Sequence, residues 1–477
     1  MKTFLTICLI TAYLPGKVSA DVCLTWGITF STQAQVDSFQ VNYPDCTWIG
    51  GEVIIRGDNI TNLHGLNSIN GIAGGLCIEF TEALTNLNGL ENLTSIHRHL
   101  KILHNSSLTD ITALSNFEPP GGNFELKITE NPNLTSLSGF EKLTYVNGTI
   151  TIWRNSSLKN LESLSNLVST HEIQIWDNSS LTSLQGLRNL KSSHDLSIMD
   201  NPNITSLEGL EGLESLDGGL IINRNTTLVN MKGLDNLLFI KEGLHIVGNN
   251  ALTSLAGLES LTDIGENLYV SGNMMLSNLK GLDNLKTAGG LNINHNASLT
   301  DLTGLESLTS LKNSTIRIEE NKSLVSLTGI DLIDPNTIQN LIVENNENLT
   351  VCDVRSVCMF IDIRPWYSIY WNAPGCDFIH EVRNACQSHF LESNGCCVFP
   401  NPSRDWFTIF FTLEENSLVK YEVLNLVGQI MEDEDLGTLE PGVHKVNYNS
   451  EEFPAGIYHY RITAGDKIQR GKMMVIR

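Results

Sequence analysis

The segment from Leu252 to Met275 reads LTSLAGLESLTDIGENLYVSGNMM, and its pattern recurs along most of the chain. Its apolar residues occur at every third position as far as Leu261, and then alternate with other residues through Leu268 and Val270. The glycine in the first half argues for bends instead of a helix, whereas the alternation predicts a short strand with one buried face. Each unit of about 24 residues therefore predicts a bent segment followed by a strand.

The recurrence of this unit predicts the fold class. Equivalent apolar residues start twelve successive units, and Leu349 starts the segment after them; the twelve are Ile60, Leu84, Leu108, Leu134, Leu158, Leu181, Ile204, Leu228, Leu252, Leu276, Leu299 and Leu324. One unit buries too few side chains to offset the entropy of ordering it, so the units must stack and share a core. We expect an all-β chain in which residues 60–348 form a β-solenoid of about 12 coils with parallel sheets.

Two polar or small positions recur at fixed places in the units. A glycine occurs in ten units and indicates a positive φ or a close backbone approach; the ten are Gly65, Gly89, Gly139, Gly186, Gly209, Gly233, Gly257, Gly281, Gly304 and Gly329. An asparagine lies three residues before each unit start from Leu108 onward, at Asn105, Asn131, Asn155, Asn178, Asn201, Asn225, Asn249, Asn273, Asn296, Asn321 and Asn346. The asparagines predict a hydrogen-bonded ladder between coils, with glycan attachment as the alternative for those in sequons.

The motif LTSLxGLxxLxxIxxxLxIxxN resembles the leucine-rich, receptor L-domain-like repeats of bacterial surface proteins. The resemblance extends from Ile60 to Asn348 and implies a right-handed solenoid with a ligand-binding or adhesive role, without naming the ligand. The chain departs from the motif at Pro119-Pro120, where a longer turn is needed, and at Ser163, which replaces the glycine.

Composition and the N-terminus predict an exported protein. The formal net charge of −23 argues against nucleic-acid binding and against a basic membrane-surface patch. Residues 1–20 resemble a signal peptide, because the apolar run from Phe4 to Leu14 is too short to span a bilayer and Val18-Ser19-Ala20 fits a cleavage site. No later run is long enough for a transmembrane segment.

The cysteines flank the repeat and predict disulfide-bonded caps. Residues 21–59 form the predicted N-terminal cap, in which we expect Cys23 to pair with Cys46; Cys77, on an outward position of its strand, is then free or bridges to another cap cysteine. Residues 349–387 form the predicted C-terminal cap, whose four cysteines allow three pairings. Analogy with the cysteine caps of leucine-rich repeats favours the pairs Cys352–Cys376 and Cys358–Cys386. Residues 388–397 are the predicted linker and contain the adjacent Cys396 and Cys397.

Residues 398–477 lack the repeat and predict a small Ig-like β-sandwich, because strand-like runs alternate with turns. These runs are Trp406 to Leu413, Leu418 to Leu424, His444 to Tyr448, Gly456 to Thr463 and Lys472 to Ile476. The segment resembles the type A C-terminal sorting domain of the type IX secretion system of Bacteroidota through motifs that contain Pro400, Asn401, Pro402, Gly428, Pro454, Gly456, Tyr458 and Lys472. This resemblance implies that the type IX machinery is a partner and that the protein is secreted or reaches the cell surface. An ordinary Ig-like binding module is the alternative.

The sequence contains no recognisable catalytic motif, so we do not expect an enzyme, a cofactor or a resident metal. His171 and His194 lie at equivalent positions and should stack on adjacent coils, where a shared metal is a weaker hypothesis than a solvated bend. The acidic run 432–435 is expected to form a solvated loop, because it lacks the spacing of a calcium-binding loop.

The outward strand positions predict a binding surface. Trp153, Trp176 and Met199 should stand side by side, with Arg154 and Asp177 beside them, and the same surface is predicted to include Ile221, Val247 and Tyr269. Clustered outward aromatic residues are typical of recognition surfaces, here for an extracellular protein or polysaccharide. Alternatively, the tryptophans only shield the sheet. Other functions left open are a secreted enzyme or inhibitor-like factor with its site in a cap or irregular coil, and a structural surface-layer role.

Overall fold

A computed structural model describes residues 22–392, 396–399, 406–449 and 453–476. The chain forms two compact units, Met1–Asn250 and Ala251–Arg477. The predicted signal peptide and the Pro400-Asn401-Pro402 motif lie outside the described residues. Within the described residues, no helix is both long and apolar enough to cross a bilayer.

The first unit consists of stacked coils made of short strands and bends. Its strands are, in chain order, β1 Val22–Cys23, β2 Ile28–Phe30, β3 Trp48–Ile49, β4 Val53–Ile55, β5 Gly71–Ile72, β6 Leu76–Glu79, β7 Ser95–Ile96, β8 His99–Leu103, β9 Glu125–Thr129, β10 Tyr145–Trp153, β11 Ser169–Trp176, β12 Ser192–Met199, β13 Ser215–Leu216, β14 Leu220–Asn223, β15 Phe239–Ile240 and β16 Leu244–Val247. Its helices are α1 Gln33–Asp37 and α2 Phe39–Asn42, and short 3-10 turns occur at His64–Leu66, Thr112–Leu114, Glu162–Leu164 and Gln185–Leu187.

One long parallel sheet forms the main face of this unit. Ten of its strands pair in chain order, namely β2, β4, β6, β8, β9, β10, β11, β12, β14 and β16. The inward residues of each strand are buried apolar side chains, as Ile150 and Ile152 are in β10. The strands β1, β3, β5 and β7 form a second, smaller parallel sheet.

The second unit begins with coils of the same kind. Their strands are β17 Asp263–Ile264, β18 Asn267–Ser271, β19 Thr287–Ala288, β20 Gly290–Asn294, β21 Ser310–Leu311, β22 Ser314–Glu319, β23 Ile338–Glu344 and β24 Tyr367–Tyr370. The main sheet of this unit contains β18, β20, β22, β23 and β24, all parallel. The helices are α3 Arg355–Ile363 and α4 Ile379–Glu392, and a 3-10 turn spans Pro335–Thr337.

The predicted parallel β-solenoid is confirmed, with about 15 turns instead of about 12. The additional turns come from segments that the sequence assigned to the caps. Strands β2 and β4 lie within residues 21–59, and β24 lies within residues 349–387. These segments have lost the regular spacing of the repeat but still pair with the neighbouring coil.

Fully buried asparagines connect the coils in both units. Asn178 Oδ1 accepts a hydrogen bond from the backbone N–H of Asn155 at 3.1 Å, and its Nδ2 donates to the carbonyls of Ile152 and Trp176, each at 2.9 Å. In the second unit the same pattern runs on to Asn372, one position beyond the predicted column. The predicted ladder is therefore confirmed, and the buried amides are not accessible for glycan attachment in the folded protein.

The glycine column also has the predicted geometry. At Gly209 the φ is +112°, and an added Cβ would lie 2.2 Å from the carbonyl carbon of Leu184 in the preceding coil. In four coils, which carry Gly65, Ala113, Ser163 and Gly186 at this position, the bend is a 3-10 turn. Both the backbone conformation and the coil spacing therefore favour glycine at this position.

The three predicted disulfides are present, namely Cys23–Cys46, Cys352–Cys376 and Cys358–Cys386. Cys77 is a free thiol and is buried although its strand position points outward. Burial, reinforced by the negative charge of Glu79, raises the pKa of the Cys77 thiol to about 12.

The C-terminal segment forms two antiparallel sheets around a common core. Its strands are β25 Cys396–Phe399, β26 Trp406–Leu413, β27 Ser417–Asn425, β28 Ile430–Leu439, β29 Gly442–Asn449, β30 Gly456–Ala464 and β31 Lys467–Val475. One sheet has the order β25-β26-β29 and the other β28-β27-β30-β31. Apolar residues of both sheets, such as Phe407 and Tyr460, lie in one buried cluster, as expected for a sandwich.

The acidic run 432–435 was predicted to be a loop, and that prediction was wrong. It lies within β28, which pairs with β27 at the edge of its sheet. All four side chains are exposed, and Asp433 forms an ion pair with Lys420 at 2.6 Å. Charged side chains on an edge strand hinder pairing with another chain.

Candidate functional site

The predicted outward residues of the first unit lie in register on neighbouring strands. The Cα partner of Trp153 is Trp176, and that of Trp176 is Met199. The three side chains are half-buried. We call Trp153, Trp176 and Met199 the tryptophan patch.

Each tryptophan also makes a contact within the sheet surface. The guanidinium carbon of Arg154 lies 4.6 Å from the centroid of the Trp153 ring, a cation–π arrangement. The indole N–H of Trp176 donates a hydrogen bond of 2.8 Å to Ser197 Oγ. These contacts hold both rings in place and leave part of each accessible to a ligand.

Arg154 and Asp177 belong to a column of residues with left-handed backbone. Their φ values are +55° and +52°, and equivalent positions carry Glu130, Asp200 and Arg224. Such a conformation is uncommon for residues other than glycine, and here it recurs because the chain turns sharply between the end of each strand and the buried asparagine.

The charges in this column pair along the sheet. The guanidinium of Arg154 lies 3.0 Å from Asp177 Oδ2 through its Nε and 3.5 Å from Glu130 Oε1 through its Nη1. In the same way, Arg224 Nη2 lies 2.6 Å from Asp200 Oδ2. The hydrogen bond with Asp200 raises the pKa of Arg224 above its usual range. Because exposed ion pairs contribute little to stability, these groups can exchange a partner for a ligand at small cost.

A hydrogen-bonded polar strip borders the tryptophan patch. Thr151 Oγ1 donates to Gln174 Oε1 at 3.2 Å, and Thr149 Oγ1 donates to Glu172 Oε2 at 3.0 Å. The strip therefore supplies oriented donors and acceptors next to an aromatic surface.

The other predicted binding residues are distributed over both units. Ile221 and Val247 are half-buried on β14 and β16, and their Cα partners include His245 and Asn223 respectively. Tyr269 lies on β18 of the second unit, opposite Asn292.

The structure contains a second candidate site that the sequence indicated only in part. In β10, β11 and β12 the short strand and the long strand of the coil merge into one continuous strand, of 9 residues in β10 and 8 residues in β11 and β12. Two buried hydroxyls form hydrogen bonds at this point of β11 and β12. Thr170 Oγ1 donates to the Gly148 carbonyl at 3.0 Å, and Ser193 Oγ donates to the Asp195 carbonyl at 2.8 Å.

The merger places His171 and His194 outward on adjacent coils, with ring centroids 4.9 Å apart, as the sequence predicted. His194 Nδ1 lies 2.9 Å from Asp195 Oδ2, and Asp195 Oδ1 accepts a hydrogen bond from the Gly219 N–H at 2.7 Å. Among the described residues there is no cluster of three or more His, Cys, Asp or Glu side chains placed to hold a metal ion.

These histidines lie in a surface groove of about 400 Å³ at the start of β10, β11 and β12. The groove is lined by Gly121, Tyr145, Val146, Asn147, Ser169, Thr170, His171, Ser192, Ser193, His194 and Asp217. We call it the histidine groove. Gly121 belongs to the longer turn after Pro119-Pro120, so one departure from the repeat lies at the edge of this groove.

Sequence reasoning also missed the most exposed tryptophans. Trp26 is 97% exposed, and Trp366 and Trp371 are each 66% exposed, whereas the tryptophans of the patch are half-buried. They lie in the segments with irregular spacing, where inward and outward positions cannot be assigned from a period.

The described residues of the predicted sorting motifs have structural roles in the sandwich. Tyr458 is buried and donates a hydrogen bond of 2.7 Å from its hydroxyl to the Pro454 carbonyl. Gly428 adopts a φ of +83° in the turn between β27 and β28. Gly456 begins β30, and Lys472 pairs with His459 across β30 and β31.

Comparison with known families identifies this sandwich. Residues 397–477 match the family of secretion system C-terminal sorting domains. The protein is therefore secreted or displayed at the cell surface, and its sorting domain interacts with the type IX secretion machinery. The three disulfides are consistent with this location. No curated protein matches the chain.

Proposed function

We propose that this exported protein is a surface binding or adhesion protein that binds an extracellular protein or polysaccharide through the tryptophan patch. The observation that carries the proposal is the register of Trp153 and Trp176, which places two partly accessible indole rings on neighbouring strands. Tryptophan residues are enriched among the residues that dominate binding energies, because one ring buries a large area at low entropic cost.

The surroundings of the patch support the proposal. Gln174 and Glu172 supply oriented polar groups on one side, and Arg154 and Asp177 supply charges of both signs on the other. An apolar centre with a polar border is the usual anatomy of a binding surface. The resemblance of the repeat to receptor L-domains points to the same class of function.

The test is a binding assay with the exported chain, residues 21–477, against glycan and protein arrays. Trp153→Ala combined with Trp176→Ala should lower the apparent affinity for the captured ligand at least tenfold, because truncating a central aromatic residue commonly costs about 2 kcal/mol or more. The circular-dichroism spectrum should be unchanged.

Phe239→Ala is the matched control, since Phe239 is an exposed aromatic residue on β15 of the same unit. This variant should bind as the parent protein does. Undiminished binding by the double tryptophan variant would place the ligand site elsewhere.

A further inference from the structure

We propose that the histidine groove is a separate binding site for a neutral sugar, of the size of one pyranose ring or a short branch. The proposal goes beyond the function assigned to the tryptophan patch, because it concerns different residues at the opposite end of the same strands and can hold or fail independently.

The groove is held in shape by contacts beneath its surface. Thr170 and Ser193, both buried, bond the carbonyls at the corner of each coil and so fix the outward direction of the histidines. Gly218 lies directly against His194, since a Cβ at position 218 would be 2.3 Å from His194 Nδ1. The imidazole of His194 is therefore positioned by Gly218 and by its hydrogen bond with Asp195.

The accessible polar groups of the groove suit hydroxyl groups. In the part of the chain that the structure describes, the side chains of Asn147, His171 and Asp217 make no hydrogen bond, so their donors and acceptors remain available. A neutral imidazole and an amide each offer a donor and an acceptor, and a carboxylate offers acceptors, which together match adjacent hydroxyls that both donate and accept.

The groove also offers an apolar surface and a suitable volume. Tyr145 lines the groove and is 62% exposed, so its ring can cover the C–H face of a sugar. The volume of about 400 Å³ is within the range of small-ligand sites.

The charges argue against other ligands. Neither lysine nor arginine lines the groove, and the whole chain has a net charge of −23, so phosphate, sulfate and uronate groups find no cationic partner. Asp217 is the single carboxylate in the lining, which is too few for a hard divalent cation that requires six or more oxygen ligands.

The test is saturation-transfer NMR with the exported chain and the methyl glycosides of glucose, galactose, mannose, fucose and N-acetylglucosamine. Methyl glucuronide and Zn²⁺ are tested as well, because they represent the anionic and metal ligands that the charges argue against. We expect transfer to at least one neutral glycoside. His171→Ala combined with His194→Ala should weaken that binding at least tenfold, whereas Trp153→Ala with Trp176→Ala should leave it within twofold.

Asn147→Ala provides a second variant, because Asn147 is exposed and makes no bond whose loss would disturb the fold. It should weaken the glycoside at least threefold. Absence of transfer to every neutral glycoside at millimolar concentrations would overturn the proposal. So would binding of Zn²⁺ or of the glucuronide alone, or unchanged binding by both groove variants.

Discussion

Replacing Asn178 by alanine should destabilise the first unit far more than an ordinary surface change. The substitution removes the acceptor of the Asn155 N–H and the donor to the carbonyls of Ile152 and Trp176, at 3.1, 2.9 and 2.9 Å respectively. Asn178 is fully buried, so water does not replace these partners freely. Each unsatisfied buried group costs about 1–3 kcal/mol.

The Trp176 carbonyl still accepts a hydrogen bond from the Arg154 N–H at 3.1 Å, so two groups lose their partner, at a cost of roughly 2–6 kcal/mol in total. A water molecule that enters the space left by the amide recovers part of this. We therefore expect a loss of about 2–4 kcal/mol in the free energy of unfolding. Because each coil contacts only its neighbours, the loss should be local, and the backbone amides of residues 150–180 should exchange faster than those of distant coils.

The measurement is urea denaturation followed by circular dichroism, together with hydrogen exchange read by mass spectrometry. Asn189→Ala is the matched control, since Asn189 is exposed and makes one bond, from its Nδ2 to the Ser165 carbonyl at 2.7 Å. Its loss should cost less than about 1 kcal/mol. Equal destabilisation by the two substitutions would refute the view that the buried ladder holds the coils together.

Three further predictions follow from the chemistry of individual groups and segments. Cys77 should resist iodoacetamide at pH 8 in the folded protein and react after denaturation, because burial raises its pKa to about 12; rapid labelling of the native protein, mapped by peptide mass, would contradict this. The hydrogen bond from Arg461 holds the pKa of buried Glu422 below its usual range. The stability that the ionised Glu422 contributes is therefore present above about pH 4.3, the pKa in the unfolded chain, and is lost as the pH falls through the lower pKa of the folded state. Thermal melts of the parent and of Glu422→Gln between pH 6 and 2.5 should converge in acid, and a constant difference would exclude this effect. The mature protein should lack residues 1–20 and most of residues 398–477, and intact-mass measurement that finds Arg477 on the surface form would exclude C-terminal cleavage.

The repeat allowed the sequence to predict those features that depend on a constant period. The asparagine ladder, the glycine bends and the register of Trp153 with Trp176 all follow once equivalent positions are aligned. The disulfide pairs also followed, because analogy with known cysteine caps selected one of the three pairings in the C-terminal cap.

The features that were missed depend on residues that break the period. Strand β28 resembles a loop in sequence, because its acidic residues lie on a sheet edge where they need no burial. The histidine groove includes Thr170 and Ser193, two buried hydroxyl residues at inward positions where neighbouring coils carry Val146 and Leu216. A polar residue at an apolar position of the repeat was the available signal, and the hydrogen bonds that satisfy it appear only when the coil is built.

The asparagine ladder also makes the length of the first unit adjustable in whole coils. Each amide bonds to the next coil in the same way, so Asn155 bonds to Asn178 as Asn178 bonds to Asn201. Removal of residues 178–200 would bring Asn155 next to Asn201 with the same donors and acceptors. Duplication or loss of one unit in the gene therefore changes the reach of the binding surface while every buried amide keeps a partner, whereas an insertion of a few residues would break the ladder.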